Sequence, residues 1–112
     1  MWYLLAALFA ALLLLHAPLL RLPYYWDEAG YFVPAARDLL LTGSLIPNST
    51  LPNAHPPLVM AYLALWWKLA GFVPVVTRVA MLLVAAFGLV GTFRLAELVA
   101  NRQVAIAATL CT

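Results

Sequence analysis

Two adjacent carboxylates, Asp27 and Glu28, stand among aromatic rings in the stretch YYWDEAGYF, directly after a long apolar run. A charge beside hydrocarbon is costly, so the position calls for a structural or a chemical reason. As chemistry, Asp27 can act as a general base. Partly desolvated by Tyr24, Tyr25 and Trp26, its carboxylate could take a proton from an attacking hydroxyl. As structure, Asp27 can cap a helix that begins at Glu28, since Asp is a preferred cap and Glu is favoured in a first turn. The two roles are compatible, because a cap also fixes the carboxylate.

His55, in NAHPPL, is the second candidate. Its imidazole could bind a phosphate or carry a proton, and Pro56 stiffens its position. Its plainer role is to cap the helix that follows. Asp27, Glu28 and His55 could also hold one divalent metal, although their spacing lacks the tight pattern of a dedicated metal site. His16 reads as a helix–helix hydrogen-bonding residue. Asn48-Ser49-Thr50 matches the glycosylation sequon, a short pattern common by chance.

These residues sit in a chain of 112 residues that is 67% hydrophobic and only 9% charged. Soluble domains average about 45–50% apolar and about 25% charged. The class is therefore integral membrane protein. A formal charge of +2, spread over scattered basic residues, excludes a nucleic-acid partner. The single cysteine, Cys111, rules out an internal disulfide and a cysteine-built zinc site, and reads as a small buried apolar residue.

The fold class expected is all-α, with polytopic membrane helices and an outer loop carrying an interfacial helix. The first helix covers about residues 2–20. It reads as a retained span rather than a signal peptide, having no Lys or Arg before it and no cleavage pattern after it. The loop 21–56 holds three of the four acids. Within it, EAGYFVPAARDLLLTGSL reads as an amphipathic helical hairpin or one broken helix, with Pro34 at a first turn or kink and Gly43 as the stop. Tyr31, Ala35, Leu39 and Thr42 fall on its apolar stripe, and Arg37 and Asp38 off it. Such a helix would lie in the membrane interface. IPNSTLPNAHPPL is extended or turned by its prolines.

A second membrane helix is expected over 57–72, with Trp66, Trp67 and Lys68 as interfacial anchors. A third covers 75–100, bracketed by Arg78 and Arg94, with Glu97 able to pair with Arg94. A fourth begins at 103. Lys68 and Arg78 flank the turn between helices two and three, so the positive-inside rule puts that turn in the cytoplasm and the acidic loop outside. Location is then the plasma (inner) membrane, multi-pass.

An apolar helix, then WDEAGYFVPAARDLLLTGSL, then NAHPPL opening the next helix, resembles the GT-C membrane glycosyltransferases. The closest likeness is to the protein O-mannosyltransferase and aminoarabinose–lipid A transferase family. TRVAMLLVAAFGLVGTFRLAELVANRQVAIAATL also looks like that family's third helix and following turn. The likeness covers nearly the whole chain but only about the first quarter of a typical member. It implies the N-terminal part of a GT-C fold. It also implies inverting transfer of a sugar from a polyprenyl-phosphate carrier to an acceptor hydroxyl on a lipid, glycan or protein, at the outer face of the bilayer. Asp27 is then the base or acceptor-orienting group, Glu28 its supporting partner, and the His55 loop borders the substrate cavity. Such a piece is expected to have no turnover by itself. Two other classes fit the same composition: a non-catalytic membrane subunit, and a piece of a transporter or flippase. Against the last, the acids lie at a helix end rather than at mid-membrane.

Overall fold

A computed structural model describes residues 1–52 and 56–112. Every regular element among the described residues is helical. These are α1 (Trp2–His16), α2 (Val33–Thr42), α3 (Leu58–Ala70), α4 (Pro74–Val99) and α5 (Arg102–Cys111), with a 3-10 turn at Ala17–Leu19 and a π turn at Glu28–Phe32. The chain divides into two units. One comprises Met1–Pro18 with Met81–Thr112, the other Leu19–Ala80.

Two helical segments are long and apolar enough to cross a membrane, Trp2–Leu19 and Pro74–Val99. At 18 and 26 residues they reach about 27 and 39 Å, against about 30 Å of hydrocarbon. α1 buries no residue, as expected of a helix whose apolar faces meet lipid. Among the described residues His16 bonds within its own helix. Its Nδ1 lies 2.9 Å from the Leu12 carbonyl one turn back, which satisfies that nitrogen locally. In the same unit Arg94 pairs with Glu97 at 2.8 Å. The Asn101 side chain caps α5 by accepting from the Val104 amide at 3.0 Å. Cys111 is exposed rather than buried, because α5 turns its buried side at Ala105.

In the Leu19–Ala80 unit the helix expected over 57–72 forms, but it is shorter than the two long apolar helices. α3 has 13 residues, about 20 Å, and falls short of a bilayer. Its face Met60, Leu63, Ala64 and Trp67 is buried at helical spacing, forming one core with Val33, Ala35 and Ala36 of α2 and with Ala80. Trp67 is therefore a core residue, 3% exposed, not an interfacial anchor. The α2 stripe is also rotated from the one expected. Asp38, placed outside it by pattern, is 9% exposed and faces inward.

Gly43 ends α2 at φ +73°, and its amide bonds the Leu39 carbonyl. That left-handed cap is one glycine adopts without strain. At the other end of α2, the Val33 amide reaches five residues back to the Glu28 carbonyl, the spacing that defines a π turn. Pro34 has no N–H to return to the Gly30 carbonyl. The Thr50 hydroxyl supplies that hydrogen bond instead, at 2.8 Å.

Candidate functional site

The acidic stretch hangs on the start of the π turn. Trp26 has φ +46°, a left-handed conformation unusual for a bulky residue, and its ring is 85% exposed. The chain then turns helical at Asp27, with φ −60°. Asp27 is not the cap expected of it, since its side chain makes no capping hydrogen bond. The helical bonds start one turn earlier, with the Tyr25 carbonyl accepting from the amides of Glu28 and Ala29. Glu28 Oε2 reaches back to the Tyr25 amide at 3.4 Å, the return half of a capping box. Asp27 is exposed and makes no hydrogen bond or ion pair among the described residues. The desolvation expected from Tyr24, Tyr25 and Trp26 is thus absent, because Tyr25 and Trp26 turn outward.

Glu28 is held from a distance in sequence. Arg78, in the first turns of α4, meets it with Nη2–Oε2 at 3.3 Å and Nη1–Oε1 at 3.4 Å. Arg78 Nη2 also donates to the Pro23 carbonyl at 3.1 Å. Its Nε–H is buried and unpartnered among the described residues. One residue earlier, Thr77 is 3% exposed and serves as a hub. Its Oγ1 accepts from Trp67 Nε1 at 2.8 Å and shares a hydrogen bond with the Tyr24 hydroxyl at 2.7 Å. Tyr24 stacks on Phe72, which meets Trp67 edge-on. Burial is the largest influence on the Tyr24 phenol and raises its pKa above 10.0, against the lowering effect of the Thr77 hydrogen bond. Residues 23–28 are thus fastened to the α3–α4 turn by one aromatic-hydroxyl cluster and one ion pair.

A second carboxylate organises the return segment. Asp38 Oδ2 accepts from the Asn48 amide at 2.6 Å, the Ser49 amide at 2.7 Å and the Ser49 hydroxyl at 2.9 Å. The Ser49 amide is the foremost of the bonds that hold the Asp38 pKa below 3.8. Asn48-Ser49-Thr50 therefore works as a backbone clasp: its first two residues hold Asp38 and its third holds Gly30.

Of the three residues singled out by sequence, the structure places Asp27 and Glu28 side by side with different fates, one open and one paired. His55 lies outside the described residues. No three His, Cys, Asp or Glu side chains are gathered for a metal among the described residues. Sequence reasoning missed Thr77, Asp38 and Arg78 as site-builders. Arg78 carried a signal, a charge in the first turns of a span, but it read as a snorkelling flank. The Arg78–Glu28 contact brings the start of α4 against the acidic loop, two segments that the charge argument assigns to opposite faces. Compared with models of known families, with curated proteins and with solved structures, the chain matches none.

Proposed function

We propose that this chain contributes the acid-bearing loop of a membrane glycosyltransferase that moves a sugar from a polyprenyl-phosphate carrier to an acceptor hydroxyl. The observation that carries the reading is the contrast at residues 27 and 28. Glu28 is tied to Arg78 and the Tyr25 amide, while the adjacent Asp27 is open and has no partner among the described residues. A base needs a free carboxylate on a fixed backbone, and this pair provides both.

In the proposed reaction the Asp27 carboxylate accepts the proton of the acceptor hydroxyl. The hydroxyl oxygen attacks the anomeric carbon and the carbon–oxygen bond to the carrier phosphate breaks. The sugar leaves with inverted configuration, and the electron pair departs with the polyprenyl phosphate. Glu28 positions the turn through Arg78. The donor is lipidic and the acceptor polar, so the site must meet both bilayer and water. A loop strung between two membrane-crossing helices, Trp2–Leu19 and Pro74–Val99, suits that need. With those two as the crossings, residues 20–73 share one face of the membrane. The resemblance of the WDEAGYF and NAHPPL motifs supports the extracytoplasmic face of the inner membrane, and His55 as a residue bordering the substrate.

The test is Asp27→Asn in the protein expressed from its own reading frame, with transfer rate at saturating donor normalised to folded protein. Loss of a base lowers the rate by about 10²–10⁴-fold. Since Asp27 makes no capping bond, folding should be unchanged. Near-normal turnover would end the catalytic assignment.

A further inference from the structure

A different cavity lies in the unit formed by Met1–Pro18 and Met81–Thr112. It has a volume of about 300 Å³ and is lined by Met1, Leu4, Phe93, Arg94, Glu97 and Arg102. Three of these are apolar and come from the start of α1 and the last turns of α4. The other three are charged. Arg94 is engaged by Glu97 at 2.8 Å, yet its side chain is still 52% exposed. Arg102, at the first position of α5, is exposed and makes no hydrogen bond or ion pair among the described residues. Two guanidiniums against one carboxylate leave the cavity with a net positive charge, to which the Met1 amino group adds. The cavity stands at the ends of two helices long and apolar enough to cross a membrane, which for crossing helices is the depth of lipid headgroups.

We infer that this cavity binds a phosphate group, with Arg102 as the primary ligand and Arg94 shared between the phosphate and Glu97. A phosphodiester carries one negative charge and so is drawn to that positive surplus. Arginine presents paired donors suited to phosphate oxygens. The apolar walls suit the glycerol and first acyl carbons of a phospholipid, and basic pockets at the ends of membrane helices hold anionic headgroups by this chemistry. Free inorganic phosphate is the other source. The inference rests on α1 and α4 being crossings and not on the catalytic reading of Asp27.

The test uses the purified chain in nanodiscs of phosphatidylcholine containing a minor fraction of phosphatidylglycerol, with bound lipid counted by native mass spectrometry. Retention of one phosphatidylglycerol is expected, weakened about fivefold by Arg102→Gln and by a similar factor by Arg94→Gln. Glu97→Gln should act in the opposite direction and tighten retention, because it releases Arg94. A variant that merely damaged the fold would not do this. Helix content from circular dichroism keeps the variants comparable. A parallel titration with inorganic phosphate separates the sources. Binding of phosphate without selective phosphatidylglycerol retention, lost in the arginine variants, would support the site with a soluble ligand. Equal retention of both lipids with no phosphate binding would overturn the inference. So would responses that are the same in wild type and all three variants.

Discussion

Thr77→Val is the sharpest probe of how the acidic loop is held. Valine keeps the shape of threonine but removes the oxygen that meets both Trp67 Nε1 and the Tyr24 hydroxyl. Trp67 is 3% exposed, so its indole N–H would be left buried without a partner, at a cost of about 1–3 kcal/mol. Tyr24 is less enclosed and can recover some hydration, so its loss is nearer the net value of one hydrogen bond, about 0.5–1.5 kcal/mol. The substitution should therefore destabilise the Leu19–Ala80 unit by roughly 1.5–4.5 kcal/mol in total. Thr77→Ser keeps the oxygen and should cost about 1 kcal/mol for the lost methyl. Trp67→Phe removes the donor, so the double variant with Thr77→Val should be less destabilised than the two singles added. The measurement is denaturant unfolding in mild detergent, followed by circular dichroism. If Thr77→Val lies within about 0.5 kcal/mol of wild type, as a neutral surface change would, the hub has no energetic role and the fastening of residues 23–28 must come from elsewhere.

Further expectations concern charge and topology. Because its hydrogen bonds lower the Asp38 pKa, its stabilisation is complete above the unfolded value near 3.8 and is lost as pH falls through the lower folded value. Asp38→Asn should destabilise the fold at neutral pH and flatten this acid limb in an unfolding-versus-pH series. An unchanged limb would show that other groups produce it. The Glu28–Arg78 pair has side chains 42% and 23% exposed, so a Glu28→Gln/Arg78→Met cycle should give a coupling of only about 0.2–1 kcal/mol. A coupling well above that would mean the pair is shielded in the membrane-bound protein. Cysteines at Ser44 and at Lys68, each in a Cys111→Ser background, should react with an impermeant thiol reagent from the same side of the membrane. Native Cys111 should react from the other. Labelling of the first two from opposite sides would restore α3 as a crossing.

How far the sequence spoke depends on the residue. The two long apolar helices were legible because apolar runs of that length have one physical solution in lipid, and Gly43 was legible because a left-handed cap favours glycine. α3 is ambiguous because its outward residues Leu58, Leu65 and Leu69 are as apolar as its buried face, so hydropathy alone does not register how short it is. Asp38 misled because a carboxylate reads as solvent-facing unless its donors are known, and those donors lie ten and eleven residues away in an irregular segment. Asp27 and Glu28 were visible as a pair. Which of them would be open and which bound was not, since the answer depends on Arg78, fifty residues later.

The brevity of α3 reaches beyond its own packing, through the parity of the chain's crossings. Three crossings put Met1 and residues 100–112 on opposite faces. Two put them on the same face, so any reporter, tag or partner assigned to the C-terminal side of α4 changes compartment. If Trp2–Leu19 and Pro74–Val99 cross the bilayer, whether the thirteen residues of α3 cross it too decides if the Arg94–Arg102 end meets the same aqueous phase as the first residue.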